Sequence, residues 1–388
     1  MSAHGLARAF PAAFARVPWA ELGEWPTAVE PLDGVAAEIG VGRGELWVKR
    51  EDQSGLLYGG NKVRSLEPLV GEAQAAGANR IYATGAFGSN QALATVLHAG
   101  RLGMETGAIL FPQPRTKTAL ANLMALLSAR PRVRALPHWS WLPFAMAAER
   151  RRAVRDGARP VVLPPGGATP VGALGYVSAA LELVEQVEAG ACPLPRRIYV
   201  GVGSVATSAG LLVGLRMAAR LGRIQWTPQV IGVRVTPWPV TGAFRIVGLA
   251  ARAAALIDGL LGDQSAARMS KRELASGLRV VGRQLGKGYG FATAAGEAAI
   301  ATSARGGGPP LDVCYSGKVM AGVIDEMKAG LAEGGPVLFW SSKSSQALPP
   351  VDEAAIEAAP MRMQRWIGRA RKELALPAGV RAELPPHA

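Results

Sequence analysis

From about residue 45 the chain alternates short β-type runs with helix-length amphipathic segments, an order of elements that builds parallel α/β architecture. Apolar and β-branched runs predict strands at 46–49, 80–84, 107–111, 161–163, 198–201, 230–235 and 337–340. Between them, apolar positions three and four residues apart predict helices. The first opens at Lys62, with Val63, Leu66, Val70 and Ala73 at helical spacing and Gly77 as its stop. Others are expected at 90–102, closed by Gly103, and at 120–129, 142–155, 174–187, 207–221 and 319–332. Right-handed crossovers would make each strand–helix–strand segment a βαβ unit. No internal repeat stands out.

Composition narrows the class. The 388 residues are 49% hydrophobic and 19% charged, which describes a globular chain with real cores. Net charge is +14, but the arginines are dispersed and the densest run is Arg150-Arg151-Arg152. Aromatic residues make up only 6% and do not alternate with basic ones, so no base-stacking platform is visible and nucleic acid is disfavoured as a partner. Cys192 and Cys314 are too few and too far apart for a disulfide framework, and His4, His98, His138 and His387 suggest no metal triad. No apolar run reaches the length of a membrane span. The first twenty residues carry Arg8 and Arg16 with no acid, faintly like a transit peptide, but they lack a secretion-type apolar region. A reducing, cytoplasmic setting is the expectation.

Ligands on parallel sheets bind beyond the carboxyl ends of the strands. Three polar loops fall there, at 85–91, 201–207 and 341–345. Lysine is scarce, with nine residues, and Lys62 closes the glycine-relieved turn Tyr58-Gly59-Gly60-Asn61-Lys62. A partly desolvated amine at a helix start has a lowered pKa and can form a Schiff base with an aldehyde, which points to pyridoxal phosphate (PLP). In the loop Gly203-Ser204-Val205-Ala206-Thr207, small residues let backbone N–H groups and a helix N-terminus approach a phosphate. Glycine-rich turns of this kind also serve ordinary close packing. No Walker lysine follows, and Ala206 stands where a dinucleotide fingerprint needs its third glycine. Ser89-Asn90-Gln91 clusters a hydroxyl and amides suited to a carboxylate and a phenolate-type oxygen, although a Ser/Asn helix cap is the commoner use of that pair.

Together these stretches resemble the 1-aminocyclopropane-1-carboxylate (ACC) deaminase / D-cysteine desulfhydrase family, within the tryptophan synthase β-like, fold-type-II PLP enzymes. The resemblance runs through Val48-Lys49-Arg50-Glu51-Asp52, Gly59-Gly60-Asn61-Lys62, Ser89-Asn90-Gln91, Pro165-Gly166-Gly167, Gly203-Ser204, Gly286-Lys287-Gly288-Tyr289-Gly290 and Tyr315-Ser316-Gly317-Lys318, most of 25–345. It implies an open, mostly parallel large PLP-binding domain (1–62 and 173–346), an inserted smaller α/β domain (63–172) and a C-terminal extension (347–388). By the same resemblance, Lys62 would carry PLP and act as acid and base. Asn90 would bond the ring oxygen, Ser89, Asn90 and Gln91 would meet the substrate, and Ser89 would also act on it catalytically, as nucleophile or proton relay. Gly203, Ser204, Val205, Ala206 and Thr207 would cradle the phosphate, with Ser342 at the pyridine nitrogen. Tyr289 would assist proton transfer, or be only a packed loop aromatic. The implied reaction is β-elimination on a small amino acid such as D-cysteine. Alternatives are ACC-type ring opening and a catalytically altered PLP-binding homologue with a binding or regulatory role. A homodimer is implied by resemblance alone.

The chain departs from the family pattern at several points. Gly88 replaces a glutamine, Ala92-Leu93-Ala94 a polar run, Val205-Ala206 an Ala-Gly pair, and Ala295 an acid; the closing His-Thr-Gly-Gly stretch reads Ser341-Ser342-Lys343-Ser344. Lys343 is expected at the surface, with a new anion contact as the other option. Lys318 is expected to anchor a turn. In the tail, Met361, Met363, Trp366 and Ile367 are expected to pack back on their own domain. Residues 237–280 look longer than is typical.

Overall fold

A computed structural model describes residues 4–262, 266–331 and 334–375. The described residues hold ten strands: β1 (Val29–Pro31), β2 (Leu46–Lys49), β3 (Arg80–Ala86), β4 (Glu105–Phe111), β5 (Arg132–Ala135), β6 (Pro160–Val162), β7 (Arg197–Val202), β8 (Gln229–Arg234), β9 (Leu278–Val281) and β10 (Val337–Trp340). They form two sheets, ordered β1-β2-β10-β7-β8-β9 and β5-β4-β3-β6. Every pairing is parallel except β1 with β2. All seven expected strands are present. Those the pattern missed, β1, β5 and β9, are all sheet edges, where solvent interrupts the apolar run: β5 is Arg-Val-Arg-Ala.

Both faces of the larger sheet are covered, which is why its central strands read as unbroken apolar runs. Along β10, Leu338 and Trp340 enter one core with helices Pro170–Glu188, Ala206–Arg220 and Ala243–Leu261. Val337 and Phe339 point the other way, onto helix Ser316–Lys328. That helix was expected to extend to 332, which lies outside the described residues. A further helix, Ala294–Arg305, went unpredicted because its run of alanines and small polar residues carries little periodicity.

The smaller sheet draws all its strands from 80–162, within the 63–172 segment that we retain as the proposed small domain. Helix Lys62–Ala75 belongs to both halves. Its Leu66, Leu69 and Val70 enter the smaller core, while Arg64 reaches helix Pro170–Glu188. The two helices meet closely at Gly175, where an added Cβ would stand 1.9 Å from the Arg64 carbonyl oxygen. In the tail, helix Met361–Glu373 packs Met363, Trp366 and Ile367 back onto the chain, but into the smaller core and not onto the large domain that it follows. Met361 does not join them; it is exposed.

A buried ionic network ties these pieces together. Lys49 Nζ donates to Glu182 Oε1 (2.6 Å), to Gln186 Oε1 and to the Thr27 carbonyl. The Arg64 guanidinium bridges both oxygens of Glu51 (2.9 Å each) and both of Glu182 (2.8 and 3.0 Å), and lies 3.7 Å over the Trp25 ring. All four charged side chains are essentially solvent-free. Burial alone would raise the Glu182 carboxyl, but Arg64 and Lys49 overcome it and hold the group at about 2.

Breaking such a network by removing one member strands the others in a dry interior, at about 3–5 kcal/mol. Arg64→Met is therefore expected to lower unfolding free energy by about that amount in a urea titration. Because the folded pKa of Glu182 is depressed, its stabilisation is full above its unfolded value of 4.5 and disappears as pH falls toward 2. Acid unfolding monitored by circular dichroism should steepen across that window in the wild-type chain, and less so in Glu182→Gln.

Candidate active site

β2, β10 and β7 lie side by side and end together at Lys49, Trp340 and Val202, so the loops that follow them converge. Gly60 makes the convergence possible. It sits at φ +87°, and an added Cβ would lie 2.8 Å from the Ser342 carbonyl oxygen. Around it, Asn61 N donates to that carbonyl (3.1 Å) and Gly59 N to Ser344 Oγ (3.0 Å). Lys62 follows directly, 8% exposed, with Nζ donating to Ser204 Oγ at 3.3 Å. Asn61 Nδ2 reaches Thr207 Oγ1, also at 3.3 Å. Burial, with no acid alongside, brings the Lys62 amine from 10.5 to about 8. Lys62, Ser204, Thr207 and Ser342 are thus gathered within one turn.

Helix Ala206–Arg220 opens at this point with no side-chain cap on its N-terminal N–H groups. Ser208 Oγ, on its first turn, is buried without a partner. Gly203 cannot carry a side chain, since a Cβ would fall 2.6 Å from the Tyr315 ring. Uncapped donors, an orphan hydroxyl and a glycine-lined approach make an anion site. Val205 and Ala206 contribute backbone only.

The facing wall comes from the smaller sheet. β3 runs into Ser89, which caps helix Asn90–Arg101 by accepting from Ala92 N (3.2 Å). Asn90 Oδ1 accepts from Tyr58 Oη (2.9 Å) and Asn122 Nδ2 (2.6 Å), which fixes its amide and leaves Nδ2 as an unused donor. A cavity between the walls is lined by Asn90, Gln113, Asn122, Tyr289, Asp312 and Tyr315. Tyr315 Oη donates to Tyr289 Oη at 3.4 Å, the rings edge to face. Burial first, and Tyr315 beside it, push the Tyr289 phenol well above its usual range, so it stays protonated. Lys318 does anchor a turn, that of the Tyr289 loop, donating to the Leu285 and Gly288 carbonyls.

Two groups of residues emerge. Lys62, Ser204 and Ser342 are not in the cavity lining; they connect to it through Tyr58–Asn90 on one side and Gly203–Tyr315–Tyr289 on the other. Gln91 turns inward, 2% exposed, donating to Thr95 Oγ1, with Oε1 unpartnered. Lys343 is not on the surface: it is 9% exposed and its amine stands 5.8 Å from the Tyr58 ring. Sequence reasoning gave no role to Tyr58, Tyr315 or Asn122. The first two lie inside motifs already singled out. Asn122 had its own signal, as a lone amide in the buried apolar run Leu-Ala-Asn-Leu-Met-Ala.

Residues 20–342 match the family described as pyridoxal-phosphate dependent enzyme. The chain belongs to that family. A D-cysteine desulfhydrase of Klebsiella pneumoniae is 32% identical over 86% of this chain and 96% of its own. A nocardicin C-9′ epimerase of Nocardia uniformis is 34% identical over 60% of this chain and 68% of its own. The crystal structure of an ACC deaminase homologue shares the fold with TM-score 0.71 at 29% identity, covering 88% of this chain and 95% of its own. The chain is therefore a PLP-dependent enzyme of fold type II, and its residues fit the cofactor: a buried amine for the aldehyde, an uncapped helix end for the phosphate and a free amide donor in the facing wall.

Only the neutral amine attacks an aldehyde. Reconstitution of apoprotein with PLP should accelerate as pH rises through about 8, the Lys62 value, and level off above it, as read by stopped-flow absorbance. A midpoint near 10.5, that of an ordinary lysine, would show that the amine is not desolvated.

Proposed function

We propose that this enzyme catalyses β-elimination on a small β-substituted amino acid, D-cysteine or a close relative, giving a 2-oxo acid and ammonia. The observation that carries the reading is the buried Lys62 amine held on Ser204 at the mouth of the uncapped helix. The substrate class is supported by the desulfhydrase relative, which shares nearly its whole length with this chain, whereas the epimerase shares about two thirds.

Bound PLP supplies an electron sink that weakens the bonds at the Cα of an attached amino acid. Lys62 would hold the cofactor's aldehyde carbon and, once displaced by the substrate amine, take the Cα proton. Asn90 Nδ2 would donate to the ring oxygen, its angle fixed by Tyr58 and Asn122. The first N–H groups of helix Ala206–Arg220, with Ser204, Thr207 and Ser208, would hold the phosphate. Ser89 keeps its cap and still has a proton to give a substrate carboxylate; Gln91 would join it only after its side chain leaves Thr95. Tyr289, protonated, would hand its proton to the departing β-group.

Residues 341–345 offer hydroxyls and one amine where a carboxylate would be needed to protonate the pyridine nitrogen. A Ser342 hydroxyl there gives a weaker sink, which suffices for losing a good β-leaving group but is less suited to opening a cyclopropane. Ring opening is the second reading, favoured by the structural relative. A homodimer enters from resemblance, and a cytosolic location from the two unpaired cysteines and the lack of a secretion-type apolar region. Among the described residues no helix is long and apolar enough to cross a membrane. No nucleic-acid partner is part of the proposal.

Borohydride fixation and peptide mapping should place PLP on Lys62. In a screen of D- and L-cysteine, β-chloroalanine, D-serine and ACC, 2-oxo acid release should be fastest from D-cysteine or β-chloroalanine. Tyr289→Phe should lower kcat by about 10²–10⁴-fold with little change in KM. PLP bound without turnover of any of them would instead indicate a binding or regulatory protein.

A further inference from the structure

Lys343 is a buried amine in a loop where the family pattern has glycine. Among the described residues nothing forms a hydrogen bond or ion pair with its Nζ, which stands over the face of Tyr58 at 5.8 Å. Tyr58 in turn bonds Asn90, which lines the cavity. Asp312, which lines that cavity, uses Oδ1 to accept from Tyr315 N, Ser316 N and Ser316 Oγ, while Oδ2 is buried and unpartnered. Asp312 is the one charge that raises the Lys343 pKa, against burial, which lowers it. It makes no ion pair with it. An unpaired ammonium in this setting is unfavourable until an anion arrives.

We propose that Lys343 is a specificity-determining residue that receives the negative charge of the departing β-substituent, a thiolate above all, and that a carboxylate at the same position mimics that charge in binding. This rests on the PLP reading above and narrows it to amino acids whose β-group departs as an anion. Asp312, in the cavity lining, favours a monoanion over a phosphate, because a second negative charge would be repelled by its carboxylate. The Tyr58 ring serves as the apolar and cation-stabilising floor that keeps the ammonium extended.

Aspartate and asparagine, each in both enantiomers, differ in charge but hardly in shape at the β-substituent, so they isolate the effect. Calorimetric titration of the holoenzyme should show one enantiomer of aspartate binding at least about tenfold more tightly than the matching asparagine, as a charge-assisted hydrogen bond provides. Lys343→Met should abolish that preference and Lys343→Arg retain it, with alanine binding unchanged throughout. Removing an unpaired buried charge should leave the Met variant at least as heat-stable as wild type.

Equal affinity for aspartate and asparagine in wild type overturns the assignment whatever the variants do. So does a Met variant that weakens all amino acids alike while losing cofactor, because the amine would then serve PLP. In either case bound PLP on Lys62 leaves the functional reading standing. A chain that takes up no PLP overturns that reading and this one with it.

Discussion

The start of helix Lys62–Ala75 is fixed by charges with no solvent to relax into. Arg64 stands two residues after Lys62 and shares two carboxylates, Glu51 from the turn after β2 and Glu182 from helix Pro170–Glu188. Tyr176 extends the network backwards, its one hydroxyl proton shared between Glu51 Oε2 (3.3 Å) and the Asn61 carbonyl (3.0 Å), immediately before Lys62. A shift of the helix by one residue would unpair several ions at once, each at several kcal/mol. Apolar packing of equal volume could match the stability, but it would allow small slides that this network forbids. The position of the Lys62 amine is inherited from it.

The same chain shows what burial does to lysine when partners differ. Four of its nine lysines are buried. Lys49 has Glu182 at 2.6 Å and is structural. Lys318 gives its protons to two carbonyls and holds a loop. Lys62 has only a hydroxyl, and Lys343 only an aromatic face. The first two are satisfied by the fold itself. The last two have no such partner among the described residues. Charge satisfaction, more than depth, separates scaffold from reactive group here.

The order of elements and the loops around Lys62, Ser89 and Gly203 were legible because central strands and glycine turns impose strict local demands. Edge strands β1, β5 and β9 were not, since half-exposed positions carry mixed side chains. The ionic network was hidden for a different reason: Glu182 lies 118 residues from Arg64 and 133 from Lys49, and a charged residue type alone does not tell a buried pair from surface charge. Lys343 was misread for the same reason. A lysine between serines looks exposed, and only the convergence of three loops shows that it is enclosed. Gln91 followed its neighbours in sequence but not in direction, because its side chain is drawn to Thr95 one turn along.

The departures at the cleft are also connected to one another. Where the family pattern has glutamine, this chain has Gly88, and a Cβ there would stand 2.5 Å from Ala119 Cα of helix Lys117–Ser128. That helix can approach only because the side chain is gone, and its approach brings Asn122 within 2.6 Å of Asn90. From the other side, Gln113 accepts from Gly88 N through its side chain (3.1 Å) and from Trp366 Nε1 through its carbonyl (2.9 Å), while Trp366 meets Phe87 edge-on at 5.7 Å. The C-terminal helix therefore braces the loop that carries Ser89 and Asn90. A glutamine at 88 would push the Lys117–Ser128 helix away and free the Asn90 amide to rotate. The glycine, Asn122 and the C-terminal helix together hold the Asn90 amide in place.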